Sequence, residues 1–180
     1  AAGYKLVSFD YSQIELRVLA TVADDPKMIE AFENNVDIHQ LTASQVFNTP
    51  LKNVTKEMRQ LGKTLNFGVV YGMGATAFAR SSGLSRLEAE KFIKEYFSDF
   101  SRVRQWHEEI KRDLREKGYV ENLNSRRRWL LEVFSGDPWK VAEAERAAIN
   151  MPIQSLAADI IKIAMIRIDR ERELSGDWRM

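Results

Sequence analysis

Residues 58–73 read MRQLGKTLNFGVVYGM, and the spacing inside this stretch decides the class of the fold. Arg59 and Lys63 stand four residues apart, and Phe67 and Tyr71 continue the step. On an α-helix each step of four advances about 400°, so the four side chains drift by only about 120° in all. They share one face, cationic at one end and aromatic at the other. A triphosphate followed by a sugar and a base carries the same order of properties. A nucleoside triphosphate is therefore the first ligand to consider.

A plainer reading makes Phe67 and Tyr71 core residues and leaves Arg59 and Lys63 to solvent, since apolar residues at helical spacing usually mark a buried face. Three features argue for a ligand instead. Burying the aromatics would draw Lys63 in with them, which is costly unless an anion meets it. Gly68, Gly72 and Gly74 lower helix propensity but suit a backbone that must yield or approach a ligand closely. The third feature is a stretch of compatible chemistry upstream.

That stretch is Phe9-Asp10-Tyr11-Ser12-Gln13-Ile14-Glu15-Leu16-Arg17. Tyr4 to Phe9 is short, mostly apolar and β-prone, and predicts a buried strand. Ile14, Leu16, Val18, Leu19 and Val22 predict an amphipathic helix. Asp10 then falls where a strand gives way to a helix, a common place for a functional carboxylate. Ser12-x-x-Glu15 also fits a capping box, so the local sequence leaves capping and function both open for Glu15.

Outward from these stretches the pattern is one strand followed mostly by helices, an α+β class that is mainly helical. Asp24-Asp25-Pro26 opens a helix through Phe32, and Asp37 caps another through Phe47. Thr49-Pro50 breaks the chain before the helix of the cation–aromatic face, which starts near Thr55. Ser85-x-x-Glu88 is a capping box for a helix through Tyr96. Ser101 opens the next, which stops at Gly118 and has Val103, Trp106, Ile110 and Leu114 as its apolar stripe. Tyr119 to Leu131 reads as a hairpin turning at Asn124-Ser125. Asp137-Pro138 supplies an N-cap and an N1 proline for a helix to about Asn150, and Pro152 interrupts it before a last helix through Glu173.

A chain of 180 residues can bury one sizeable core, or a small core plus a projecting lobe. Its net charge of +1 means that nucleic-acid binding has to rest on local patches. Arg102 to Arg128, with Trp106, Tyr119 and the following Trp129, is one such patch, although Arg102 to Lys117 also reads as an ordinary solvated helix face. The absence of cysteine excludes disulfides and thiolate metal sites. With no signal peptide and no apolar run long enough to span a bilayer, the expectation is a cytoplasmic protein without a membrane partner.

Asp10-Tyr11-Ser12-Gln13-Ile14-Glu15-Leu16-Arg17 resembles motif A of the family A DNA polymerases. Arg59-x3-Lys63-x3-Phe67-Gly68-x2-Tyr71-Gly72 resembles their motif B. Asp37-Ile38-His39, Arg126-Arg127-Arg128 and Asn150-Met151-Pro152-Ile153-Gln154 follow in the family's order, so the resemblance spans essentially the whole chain. It implies a palm, residues 1–36 and 137–180, interrupted by helical fingers, residues 37–136. The implied reaction is template-directed DNA synthesis on a primer-template, in which a primer 3′-hydroxyl attacks the α-phosphate of a dNTP and pyrophosphate leaves. Two Mg²⁺ ions assist in that chemistry.

The resemblance also implies residue roles. Asp10 is the metal carboxylate, and Tyr11 adds its backbone carbonyl. Asp10, Arg59 and Lys63 form the catalytic set, with Lys63 also a candidate proton donor to pyrophosphate. Arg59, Lys63 and His39 hold the triphosphate, and Gln13 joins the nucleotide-binding set. Phe67 packs on sugar and base, and Tyr71 guards the template-base position. Glu15 blocks the space of a 2′-hydroxyl and so selects deoxyribose. Arg128, Arg146, Asn150 and Gln154 touch DNA.

One departure stands out. The family's motif C, a His-Asp-Glu turn that supplies the second metal carboxylate, is absent, and His107-Glu108-Glu109 on a charge-rich helix does not replace it. The expectation is a partial polymerase domain that is inactive alone, with uncovered apolar faces that favour self-association. A non-catalytic nucleotide- or DNA-binding module of the same fold is the alternative. The related single-subunit RNA polymerases fit less well, because Glu15 stands at the sugar gate and Phe67 carries no hydroxyl.

Overall fold

The structure, a computed structural model, describes residues 5–175. Helices α1 (Ile14–Val22), α2 (Pro26–Glu33) and α3 (Ile38–Val46) lead to α4 (Lys56–Val70), which carries the cation–aromatic face. Then come α5 (Ala75–Ser82), α6 (Arg86–Asp99) and α7 (Ser101–Lys117), a hairpin of β1 (Tyr119–Glu121) and β2 (Arg127–Trp129), and the long α8 (Pro138–Ser175). The mainly helical expectation holds.

Where a helix begins was legible from local chemistry. Asp25 accepts from the Met28 N–H, Asp37 from those of His39 and Gln40, and Thr55 from that of Met58. Each bond satisfies a donor that the first helical turn leaves orphaned. Ser85 and Glu88 form the full capping box of α6. The hairpin pairs Tyr119 with Trp129 and Glu121 with Arg127, and turns through Ser125 at φ 59°.

Two hydrophobic clusters hold these elements. The larger joins α1 to α7 with the middle of α8, through Leu16, Leu19, Leu65, Val70, Tyr96 and Ile153 among others. The smaller lies under the hairpin, where Leu114 and Val120 meet Ala144, Ala148 and Met151 of α8. Asp159 of α8 ties the hairpin down. It accepts from Arg126 at 2.6 Å and from Asn122 at 3.1 Å. The Arg126 bond, with those of Asn122 and Asn124, outweighs burial and holds the Asp159 carboxyl down at about 2.

The structure corrects four expectations. Tyr4 lies outside the described residues, and Lys5–Phe9 form no strand: Leu6, Val7 and Phe9 are exposed. A strand needs a hydrogen-bonded neighbour, and among the described residues the sheet contains β1 and β2 alone. Ser12 does not cap α1. The N-cap is Gln13, in the left-handed region, with no side-chain cap bond, so Glu15 is not half of a capping box. Helix α5 carries no side-chain cap that would announce it, since its N-cap is Gly74.

Pro152 does not end a helix, because α8 runs through it. Proline costs one backbone bond there. The segment is gripped from both sides, by Ile149, Ile153, Leu156 and Ala157 in one cluster and by Ala148 and Met151 in the other, and that packing outweighs the loss. With the interruption gone, Pro138–Glu171 is by length and composition apolar enough to cross a membrane, contrary to the sequence expectation. The same segment supplies both clusters and the buried Asp159, which pairs with Arg126 of the hairpin, the pattern of a core helix.

Candidate nucleotide site

The site is built on the packing of α4 against α3. A side chain on Gly62 would begin 2.4 Å from the His39 carbonyl oxygen and 3.1 Å from the Ala43 nitrogen, so the two backbones touch there. This approach brings His39 beside the cation–aromatic face. The rings of His39 and Phe67 lie 5.8 Å apart, and the Lys63 ammonium stands 6.0 Å from the Phe67 ring. The predicted face thus exists, and it gains a fifth member from the neighbouring helix.

Its electrostatics are graded. Lys63 is exposed and has no acidic partner among the described residues. Arg59 is engaged, its guanidinium 2.7 Å from the Asp37 carboxylate. Burial works to raise the Asp37 carboxyl, but the bonds from Arg59 and from the Gln40 and His39 N–H groups hold it below its ordinary value. His39 is 3% exposed, and burial pushes its imidazole down. Asp37 opposes that shift, and Arg59 and Lys63 reinforce it. A neutral imidazole between two permanent cations can bind a polyanion without the full repulsion of three charges.

A side-chain hydrogen bond joins motif A to motif B. The Tyr71 hydroxyl donates to Glu15 Oε2 at 3.2 Å, and burial together with the Glu15 charge pushes the tyrosine above its ordinary value. Gln13 stands at the start of α1, with its Oε1 buried and without a partner among the described residues. Asp10 and Tyr11 are exposed ahead of α1, and no ion pair joins Asp10 to the rest of the site.

The other end of α4 leans on α8. Gly72 turns at φ 63°, a backbone conformation that favours glycine, and a side chain there would begin 3.3 Å from Arg146 Cα. Asn150 and Gln154 follow on the same helix, with Asn150 Nδ2 3.4 Å from Gln154 Oε1, while the Asn150 Oδ1 is buried and unpartnered. Arg128 is exposed on β2 opposite Val120, apart from the α3–α4 face.

Sequence reading missed two members of the arrangement. Asp37 was read only as a cap, yet it also holds Arg59. Asn66 went unnoticed inside an apolar run, although a polar residue four positions after Gly62 has to share its buried side.

Motifs A and B are therefore joined through Glu15 and Tyr71 on a fold that can be compared with known proteins. The sequence profile described as DNA polymerase family A matches residues 1–179. The chain belongs to that family. As a family A polymerase segment it is 48% identical to the DNA polymerase I of Rhizobium leguminosarum over 93% of its own length and 16% of the relative's. It is 46% identical to the Geobacillus stearothermophilus enzyme over 93% of its length and 19% of the relative's. A solved structure described as the POL domain of Pol1 from M. smegmatis, in complex with DNA primer-template and dNTP, superposes with a TM-score of 0.88 at 40% identity. That match covers 93% of this chain and 30% of the other. This family A segment thus spans roughly a fifth or less of the curated relatives it matches.

Proposed function

We propose that this chain is the part of a DNA polymerase that receives an incoming dNTP opposite a primer-template. The observation that carries the reading is the meeting of His39 with the Arg59–Lys63–Phe67–Tyr71 face across the α3–α4 contact. In this reading residues 37–136 are fingers, and residues 1–36 and 137–180 are palm. The setting is cytoplasmic DNA replication and repair.

The residues then divide the work. Lys63 and His39 hold the triphosphate, joined by Arg59 once it exchanges Asp37 for a phosphate oxygen. These groups stabilise the charge that grows on the phosphates as the primer 3′-oxygen attacks the α-phosphorus and the bond to pyrophosphate breaks. Phe67 stacks against sugar and base. Glu15 and Gln13 line the sugar side, and Tyr71 releases Glu15 as the nucleotide seats. Arg128, Arg146, Asn150 and Gln154 face the DNA.

Among the described residues no group of three or more metal-binding side chains gathers. The Asp10 carboxylate and Tyr11 carbonyl are nevertheless oxygen donors of the kind Mg²⁺ takes, alone or in twos, alongside substrate phosphates. Bound there, Mg²⁺ would lower the pKa of the primer hydroxyl and neutralise phosphate charge. A single carboxylate makes half of a two-ion site, so the chain alone is expected to extend no primer.

Calorimetric titration with dATP and with deoxyadenosine tests the reading. Tight binding of the triphosphate alone, lost in Arg59→Ala/Lys63→Ala, supports it; equal binding of both ligands overturns it. Robust Mg²⁺-dependent primer extension by the 180-residue chain would overturn the partial-domain reading. In the complete polymerase, Glu15→Ala should raise ribonucleotide incorporation, and unchanged sugar selectivity removes that assignment. The exposed apolar side chains Leu6, Val7, Phe9, Ile163 and Ile166 favour self-association of the chain, which sedimentation over a range of concentrations would reveal.

A further inference from the structure

Asn66 is fully buried in α4, where an unpaired amide would be costly. Its amide is fully engaged. Nδ2 lies 3.5 Å from the Ile38 carbonyl oxygen and 3.1 Å from His39 Nδ1, and Oδ1 accepts from Thr42 Oγ1 at 3.1 Å. A backbone carbonyl can only accept, so the amide atom facing Ile38 is the NH₂ group. The same nitrogen faces His39 Nδ1, which must accept the second amide proton. A neutral imidazole that accepts at Nδ1 carries its own hydrogen on Nε2.

We propose that Asn66 is a positioning residue that locks His39 in its Nε2–H form, so that His39 offers a neutral N–H donor to a phosphate oxygen beside Lys63 and Arg59. The opposite tautomer would aim a lone pair at the phosphate and repel it. The proposal rests on the triphosphate reading for what His39 meets, but not for the tautomer itself. Asp37, Arg59 and Lys63 are the charged groups around the ring. His39 Nε2 has no partner among the described residues, which leaves it open to a ligand. Lysine or arginine at position 39 would supply charge but not this single fixed direction.

A merely structural Asn66 would tie α3 to α4 without caring which ring nitrogen holds the proton, and that difference can be read directly. The chain has only two histidines, His39 and His107, so long-range ¹H–¹⁵N spectra of the labelled protein at neutral pH resolve both rings, and His39→Gln assigns them. The expected result is a protonated Nε2 and a bare Nδ1 for His39. In Asn66→Asp the carboxylate accepts from the ring and moves the proton to Nδ1, or adds a second one. A wild-type His39 protonated at Nδ1 overturns the proposal, as does an unchanged pattern in a folded Asn66→Asp protein. If that variant does not fold, the wild-type spectrum decides alone.

Titration with dATP keeps the two readings apart. A shift at His39 Nε2, with binding weakened about tenfold in Asn66→Asp, supports both. The stated tautomer with no response at Nε2 removes the triphosphate contact and leaves the lock standing.

Discussion

The two halves of the proposed active centre are built to opposite standards. On the α3–α4 side, backbones touch at Gly62, a buried asparagine spends every hydrogen-bonding group it has, and the aromatic and imidazole rings are in contact. On the motif A side, Lys5 to Tyr11 have no regular structure, and Phe9 is 88% exposed. The first half is preorganised by interactions inside the chain, and the second is not. On the proposed function, anion recognition and metal chemistry would therefore be separable, the first resting on the preorganised α3–α4 side.

The sharpest way to break that contrast is Gly62→Ala. A methyl at 2.4 Å from the His39 oxygen forces α3 and α4 apart, and such overpacking should lower unfolding free energy by about 3 kcal/mol. Urea denaturation measures it, and a wild-type midpoint would mean that the two helices are not clamped. Next in size is Lys63→Ala. On the proposed function, loss of this unpaired cation should weaken dATP binding about tenfold in calorimetry, with little change in stability. Equal affinity would deny that the face is an anion site.

The hairpin offers a third comparison, since it is held in the manner of α3–α4. Asp159 is depressed to about 2 from its ordinary 3.8, so its stabilising bonds are complete above that ordinary value and are lost as pH falls toward 2. Amide exchange in β1 and β2 should accelerate over that interval. Asp159→Asn, which cannot titrate, should show no such step. The smallest expected effect is Phe9→Ala, which should shift stability by less than about 0.5 kcal/mol because the ring touches little. A larger loss would show that the N-terminal segment is held after all.

The sequence disclosed what is decided within a few residues. Asp25, Asp37, Thr55 and Ser85 announced their helices because a cap is a bond between neighbours in the chain. The Arg59–Tyr71 face followed from helical spacing alone. What depends on distant partners was misread. Lys5–Phe9 has the composition of a strand but no strand beside it, and Pro152 has the chemistry of a break but packing on both sides. Ser12 failed as a cap because Gln13 takes the left-handed turn in its place. Asn66 was hidden for the same reason as Pro152: its meaning lies in His39 and Thr42, on another helix.

With the His39 oxygen lying close to where a Gly62 side chain would begin, α4 and α3 pack backbone to backbone. The imidazole and the ammonium are therefore carried as a single cartridge by two helices in direct backbone contact. One glycine thus holds α4 against α3, and another, ten residues on and just past the helix end, turns the chain against α8.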